Sequence, residues 1–416
     1  MRVFVLFALL SIPVLADAQS APKTLSFQDV IDVAMTHNPS MKAKLAQLDV
    51  SLARADQVAV FETPVFELGA LFPINSPNAH NDLDVRLTQN VDSLFSLPAR
   101  LAGAKALVAY GKLALKSEVS RLLTDITIAY YKYQASQELK SLLESNLEAA
   151  SAMLELSQGQ LKAGNVNVLE ESEHSTSQKM AKLELMRADN AMKQARLELA
   201  KLTGLSIAEH EWTVTPQLMK VAKSTASLED TIRKGLAEQA ELRALRSAVA
   251  ADRSLASVSK LHLLPVFKIG VQASFDLQGN RGIGPYVEMG MPFAPQALAN
   301  WRRANADLKA SQARARAAEY SAAFEIEQVL QKLDLARQTV ALYEDEVLPI
   351  ADRGIRESLK HYNYALLGGY KLLGAKQSQL KAKQEELQAR LDYWVASAEL
   401  DLLTGQITFS LLELQP

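Results

Sequence analysis

The chain contains no cysteine in its 416 residues. A disulfide framework and a thiolate metal site are therefore excluded, and so is acylation of an N-terminal cysteine. Any membrane attachment is expected to come from the fold itself. Aromatic residues are scarce, at 6%. The net charge of −2 is too small to provide the basic field that holds nucleic acid. After residue 18 no apolar run approaches the ~18 residues of a helical membrane span. Proline is missing from the whole interval between Pro98 and Pro216. Proline is expelled from helix interiors because it lacks the N–H and its ring clashes with the preceding turn.

Catalytic constellations are absent as well. None of the histidines His37, His80, His174, His210, His262 and His361 has another at i+4, and no H-E-x-x-H run occurs. Glu173-His174 reads as a surface pair. Met289 and Met291 share a strand parity that suits lipid contact better than metal ligation. The glycines Gly279, Gly282 and Gly284 sit in a turn rather than between a strand and a helix, so they do not form a phosphate loop. No cofactor, metal site or enzymatic activity is expected.

What is present is the alphabet of long helices: Ala, Leu, Lys, Glu, Gln and Ser. The first residues carry Arg2, the apolar run 3–15 and Ala16-Asp17-Ala18, which fits a signal peptide over 1–18 with Gln19 as mature start. The rest is a tandem repeat. Ser26-Phe27-Gln28-Asp29-Val30-Ile31 returns as Ser227-Leu228-Glu229-Asp230-Thr231-Ile232. Pro64-Val65-Phe66 returns as Pro265-Val266-Phe267, Gly69 as Gly270, and Leu202-Thr203-Gly204 as Leu403-Thr404-Gly405. The expected organisation is a first repeat over 19–204, a linker or equatorial region over 205–227, a second repeat over 228–405 and a tail over 406–416.

Each repeat is expected to open with one amphipathic helix, near 26–61 and 227–262. Ser26 with Asp29, and Ser227 with Asp230, have capping-box spacing. Two runs of period-2 alternation follow, in the pairs 64–91 and 265–291. Phe267, Ile269, Val271, Ala273 and Phe275 alternate with polar or small residues, and Leu83, Val85 and Leu87 do the same. Phe66, Leu68, Ala70 and Phe72 form a similar face, as do Ile283, Val287, Met289 and Met291, with Pro285 interrupting. Such runs are half-buried strands, and 9–11 tilted residues also span a bilayer. The polar stretches 75–82 and 278–282 read as hairpin loops. Two hairpins of a soluble domain would show the same alternation. In lipid, however, only closed barrels are tolerated, and four strands cannot close. Four strands per chain would therefore need partners, and a trimer gives twelve.

A helix from Pro98 to about 161 follows the first pair. Val119, Leu122, Ile126, Ala129 and Tyr133 keep its apolar spacing, as do Leu139, Leu143, Leu147, Ala150 and Leu154. Breaks are expected at 162–168, where Gly164 stops the helix, and at 361–368. Pro349 should mark a kink. Small residues crowd 302–323 and would let helices approach closely.

In this order and duplication the sequence resembles the TolC-type outer-membrane efflux family. The resemblance rests on the opening Leu25-Ser26-Phe27-Gln28-Asp29-Val30, on His37-Asn38-Pro39, on the Lys162-Ala163-Gly164 tip, on Leu348-Pro349 and on the two Leu-Thr-Gly endings. It covers nearly the whole chain, and in general shape it is closest to the heavy-metal (cobalt-zinc-cadmium type) efflux branch. The resemblance implies a mainly α fold with a membrane β-barrel. Long antiparallel helical hairpins form an α-barrel tunnel, and four β-strands per protomer close a twelve-stranded barrel in a homotrimer. It implies a passive outer-membrane duct that reaches into the periplasm, docked to a periplasmic membrane-fusion adaptor and, through it, to an inner-membrane transporter of the resistance-nodulation-division type. A type I secretion channel and a periplasmic coiled-coil scaffold are the alternatives. The implied adaptor-contact and entrance tips are Gly164, Asn165 and Val166, with Asn363 and Tyr364. Some relatives place acids just past the second tip. Here Ala365-Leu366-Leu367-Gly368-Gly369 carries none, which leaves Glu170, Glu171 and Glu173 as candidate entrance acids. A solvated helix face is the plainer reading of those three.

Overall fold

The computed structural model describes residues 24–71, 82–205, 212–215, 217–221, 227–276, 281–290, 295–364 and 366–406. The signal segment, the loop 75–81 with His80, Phe72, His210, Met291 and Ala365 lie outside them.

The opening helix of each repeat is two helices, not one: α1 (Phe27–His37) and α2 (Pro39–Ala59), then α5 (Leu228–Glu238) and α6 (Ala240–Leu261). The residue before a proline is pushed out of the helical region, and Asn38 is extended, with its Oδ1 accepting from the Ser40 and Met41 N–H groups at 2.6 and 3.3 Å. Gln239 holds the same extended shape without a following proline. Ser26 and Asp29 form the expected capping box, whereas Ser227 makes no side-chain cap.

The rods are α3 (Asp92–Lys162), α4 (Val168–Thr203), α7 (Pro295–Leu342), α8 (Leu348–Asn363) and α9 (Gly369–Thr404). At 71 residues, α3 is about 105 Å long. It starts six residues before the expected Pro98, which sits in its second turn, where only the Leu94 carbonyl loses its partner. A π-helical turn, Tyr343–Val347, separates α7 from α8, with Pro349 in the first turn of α8. The kink expected there is thus a π turn backed by a proline.

The helices form a wall rather than a globule. In one half α3 lies between α2 and α6, and α6 packs on α7. In the other half α3 lies between α4 and α9, which is followed by α7 and α8. Small residues set the spacing. A Cβ on Gly111 would lie 2.8 Å from the Ser51 Cβ, and one on Gly103 would lie 3.1 Å from the Ser254 Cβ.

The strands β2 (Val65–Leu71), β3 (Asp82–Asn90), β5 (Val266–Asp276) and β6 (Arg281–Gly290) make one antiparallel sheet in the order β2-β3-β5-β6. Pro285 does not interrupt β6; it stands opposite Val271 on an edge strand, where a missing N–H is tolerated. The described part of the linker carries regular structure. Thr213–Val214 forms β4, pairing in parallel with β1 (Thr24–Leu25). The following segment is strapped across two rods. The Gln134 amide donates to the Thr215 and Gln217 carbonyls at 2.6 and 3.2 Å, and the Trp394 indole donates to the Met219 carbonyl at 2.9 Å.

Candidate functional site

The sheet has two chemically distinct faces. In register across it run Phe66, Leu87, Val271 and Pro285, and beside them Leu68, Val85, Ala273 and Ile283. These residues share one face, and most of the large ones are exposed; Ile283 is 80% exposed. The opposite face carries Glu67, Asp84, Arg86, Gln272, Lys268 and Glu288. Several of these groups pair with one another: Lys268 pairs with Glu288 at 3.1 Å, Gln272 donates to Asp84 at 3.3 Å, and the Arg86 guanidinium stacks 5.2 Å over the Tyr286 ring. An apolar face left in water with a polar face beside it is the wrong arrangement for a soluble sheet. It is the right one for a wall between lipid and a water-filled lumen. Among the described residues neither edge, β2 or β6, has a partner strand on its outer side.

At the far end of the rods, Gly164 takes φ +76° and closes α3. Its N–H donates to the Leu161 carbonyl at 3.0 Å and the Asn165 N–H to the Gln160 carbonyl at 2.9 Å, a Schellman closure. Gly164 and Asn165 are exposed and Val166 is half-buried. At the second turn α8 runs to Asn363, and Tyr364 follows as its C-cap; both are exposed. With Val168, Leu169 and Leu366, also exposed, the tips present apolar side chains to solvent.

The three candidate acids have different surroundings. Glu170 and Glu171 lie in the first turn of α4, where Asn167 caps the Glu170 N–H at 2.9 Å and a carboxylate favours the helix dipole. Glu171 also accepts from Gln158 at 3.3 Å. Glu173 lines a groove of about 840 Å³ between α4 and α9, with Ser172, Thr176, Met180, Leu373 and Lys381.

His174 is not at the surface. It is 3% exposed, wedged where a Cβ on Gly369 would meet its Nε2 and the Met153 Cε, each at 3.1 Å. Its place was readable as a heptad, since His174, Ala181 and Ala188 recur every seventh residue on the buried side of α4. A buried charge cluster also escapes sequence reasoning. Arg390 reaches Glu138 at 2.6 Å and Glu386 at 2.5 Å, and burial pushes the Glu386 carboxyl upward against the pull of Arg390. Among the described residues no group of three His, Asp or Glu side chains gathers as a metal site, and no helix is long and apolar enough to cross a membrane.

Residues 30–205 match the family model described as outer membrane efflux protein. No curated protein matches the chain. Among solved structures, the CmeC outer membrane channel of Campylobacter jejuni is 14% identical, with 91% of this chain and 85% of that one covered and a TM-score of 0.78. The outer membrane protein VceC of Vibrio cholerae is 16% identical, with 91% and 96% covered and a TM-score of 0.74. The open-state MtrE outer membrane channel of Neisseria gonorrhoeae is 16% identical, with 91% and 88% covered and a TM-score of 0.70. Residues 30–205 are thus similar to the outer membrane efflux protein family, and the chain shares its fold, over 91% of its length, with solved outer-membrane channels.

Proposed function

We propose that the chain is one protomer of a homotrimeric outer-membrane channel, the passive exit duct of a tripartite efflux pump. The observation that supports this most directly is the open four-stranded sheet with an apolar outer face. An unpaired strand edge in lipid costs several kcal/mol per orphaned group, so the edges β2 and β6 have to meet other copies. Three copies bring twelve strands. They also bring twelve helices at each level of the wall, because each half of the protomer contributes four. The two repeats, 19–204 and 228–405, then supply equal shares of barrel and tunnel.

Gly164, Asn165, Val166, Asn363 and Tyr364 lie at the tunnel entrance and meet a periplasmic membrane-fusion adaptor. Their exposed apolar neighbours and the groove between α4 and α9 suit a helical hairpin partner. The adaptor joins the duct to an inner-membrane transporter of the resistance-nodulation-division type, and heavy-metal cations are one candidate cargo. Glu170, Glu171 and Glu173, repeated around a threefold axis, would favour cations at that entrance. The continuous apolar outer face argues against a periplasmic scaffold. The test is reconstitution of the purified chain into planar bilayers. Discrete conductance steps from a detergent-stable trimer are expected. A monomer that is soluble without detergent and silent in bilayers would overturn the proposal.

A further inference from the structure

The apolar outer face does not end with the strands. Along β5 it runs from Phe275 to Phe267. Eight residue steps of about 3.4 Å, tilted by about 40°, give a band about 21 Å tall. The lipid-facing band of outer-membrane barrels is about 25 Å, so the strands alone fall a few ångströms short.

Two large apolar side chains stand just beyond them. Phe95, in the opening turn of α3, is 73% exposed, and Leu264, in the turn between α6 and β5, is 59% exposed. The Val91 N–H donates to the Phe267 carbonyl at 2.8 Å, so α3 starts directly beneath an outer-face residue. Phe95 comes four residues later, about 6 Å further along the helix. At 100° per residue it points away from Ser93, Ser96 and Ala104, which are buried. One turn on, Arg100 pairs with Glu62 at 2.6 Å, and polar chemistry resumes.

Neither residue can be covered by a neighbouring copy. The helix α3 is flanked by α2 and α6 of its own protomer, and β5 lies between β3 and β6. Left in water, a Phe ring forgoes the favourable burial of its apolar surface; in acyl chains it does not. We propose that Phe95 and Leu264 form an apolar collar that enters the acyl chains of the periplasmic-side leaflet, so that lipid grips the first turn of the helical tunnel as well as the strands. The proposal rests on the channel reading above.

The test uses the full chain reconstituted in vesicles of phosphatidylethanolamine and phosphatidylglycerol, with and without brominated acyl chains, which quench tryptophan on contact. The emission of the three native tryptophans is subtracted using the unmodified protein. Phe95→Trp and Leu264→Trp should lose as much of their added emission as Phe267→Trp, a control on the strand. Tyr320→Trp, on α7 far down the tunnel, should lose none. Quenching of Phe267→Trp without quenching of either collar variant overturns the collar and leaves the channel reading standing. Failure of all three to quench sinks both, and quenching of Tyr320→Trp shows indiscriminate lipid contact and removes the case for a collar.

Discussion

At the residue scale the Leu-Thr-Gly endings do one job twice. Gly204 and Gly405 end α4 and α9 at φ +76° and +65°. Each presses its bare Cα side on the break between the paired opening helices. A Cβ on Gly204 would lie 2.8 Å from the His37 carbonyl oxygen, and one on Gly405 would lie 2.9 Å from that of Glu238. The Asn38 amide donates back to the Leu202 carbonyl. Gly204→Ala and Gly405→Ala should therefore each cost at least about 1–2 kcal/mol, from left-handed strain alone. A lowered thermal midpoint of the detergent-solubilised protein would show it, and an unchanged midpoint would refute it. Asp189 makes a separate pH prediction. Hydrogen bonds from Lys140 and then Lys193 bring its pKa from 3.8 to about 2. A depressed carboxylate stabilises the fold above its unfolded value, and that contribution is lost as pH falls through the folded value. Asp189→Asn should thus flatten the acid-induced loss of helicity between pH 3.8 and about 2, and should leave the neutral-pH spectrum unchanged.

At the element scale, strands and rods were legible because their periods persist over many residues. The break at Asn38 was missed although Pro39 signals it, because the apolar spacing of Val30, Ile31, Ala34 and Met41 continues across it. The strap over 217–221 was missed for another reason. It is held by isolated hydrogen bonds from Gln134, Arg390 and Trp394, which leave no periodic trace. Repeat symmetry was legible and yet misleading about equivalence. Gly69 and Gly270 align, but a Cβ on Gly69 would meet the Asp84 Cβ at an ordinary 3.8 Å. On Gly270 it would fall 2.0 Å from the Leu87 carbonyl oxygen. Gly270→Ala should abolish the heat-modifiable folded form on gels, and Gly69→Ala should retain it. The two hairpins also differ in how firmly they are held. Six residues of α4 are buried and none of α8, and α8 begins beside a π turn. Local opening is easiest where few apolar contacts resist it. Amides of α8 should exchange with deuterium faster than those of α4, and equal protection would contradict this.

At the scale of the whole molecule, the exposed edges of the wall specify how copies would meet in the proposed trimer. Leu183, Met186 and Leu197 are exposed on α4 at one edge of the wall, and Leu335, Leu342 and Ile350 at the other. Their heights can be compared through the core. Ile326 packs in one cluster with Leu403, one residue from the end of α9, and α4 ends at the equivalent Thr203. Met186 lies 17 residues below Thr203 and Leu342 lies 16 below Ile326. At 1.5 Å per residue both are about 25 Å below the same level. Leu197 is only six residues below Thr203, or about 9 Å. Because the chain has no cysteine, paired substitutions report contact without background. Oxidation of the Met186→Cys, Leu342→Cys double variant should give covalent dimers and trimers. Leu197→Cys with Leu342→Cys, about 15 Å out of step, should not. A trimer on size exclusion that crosslinks through neither pair would mean that other edges meet, whereas crosslinking of the second pair alone would shift the register of the wall by about three helical turns.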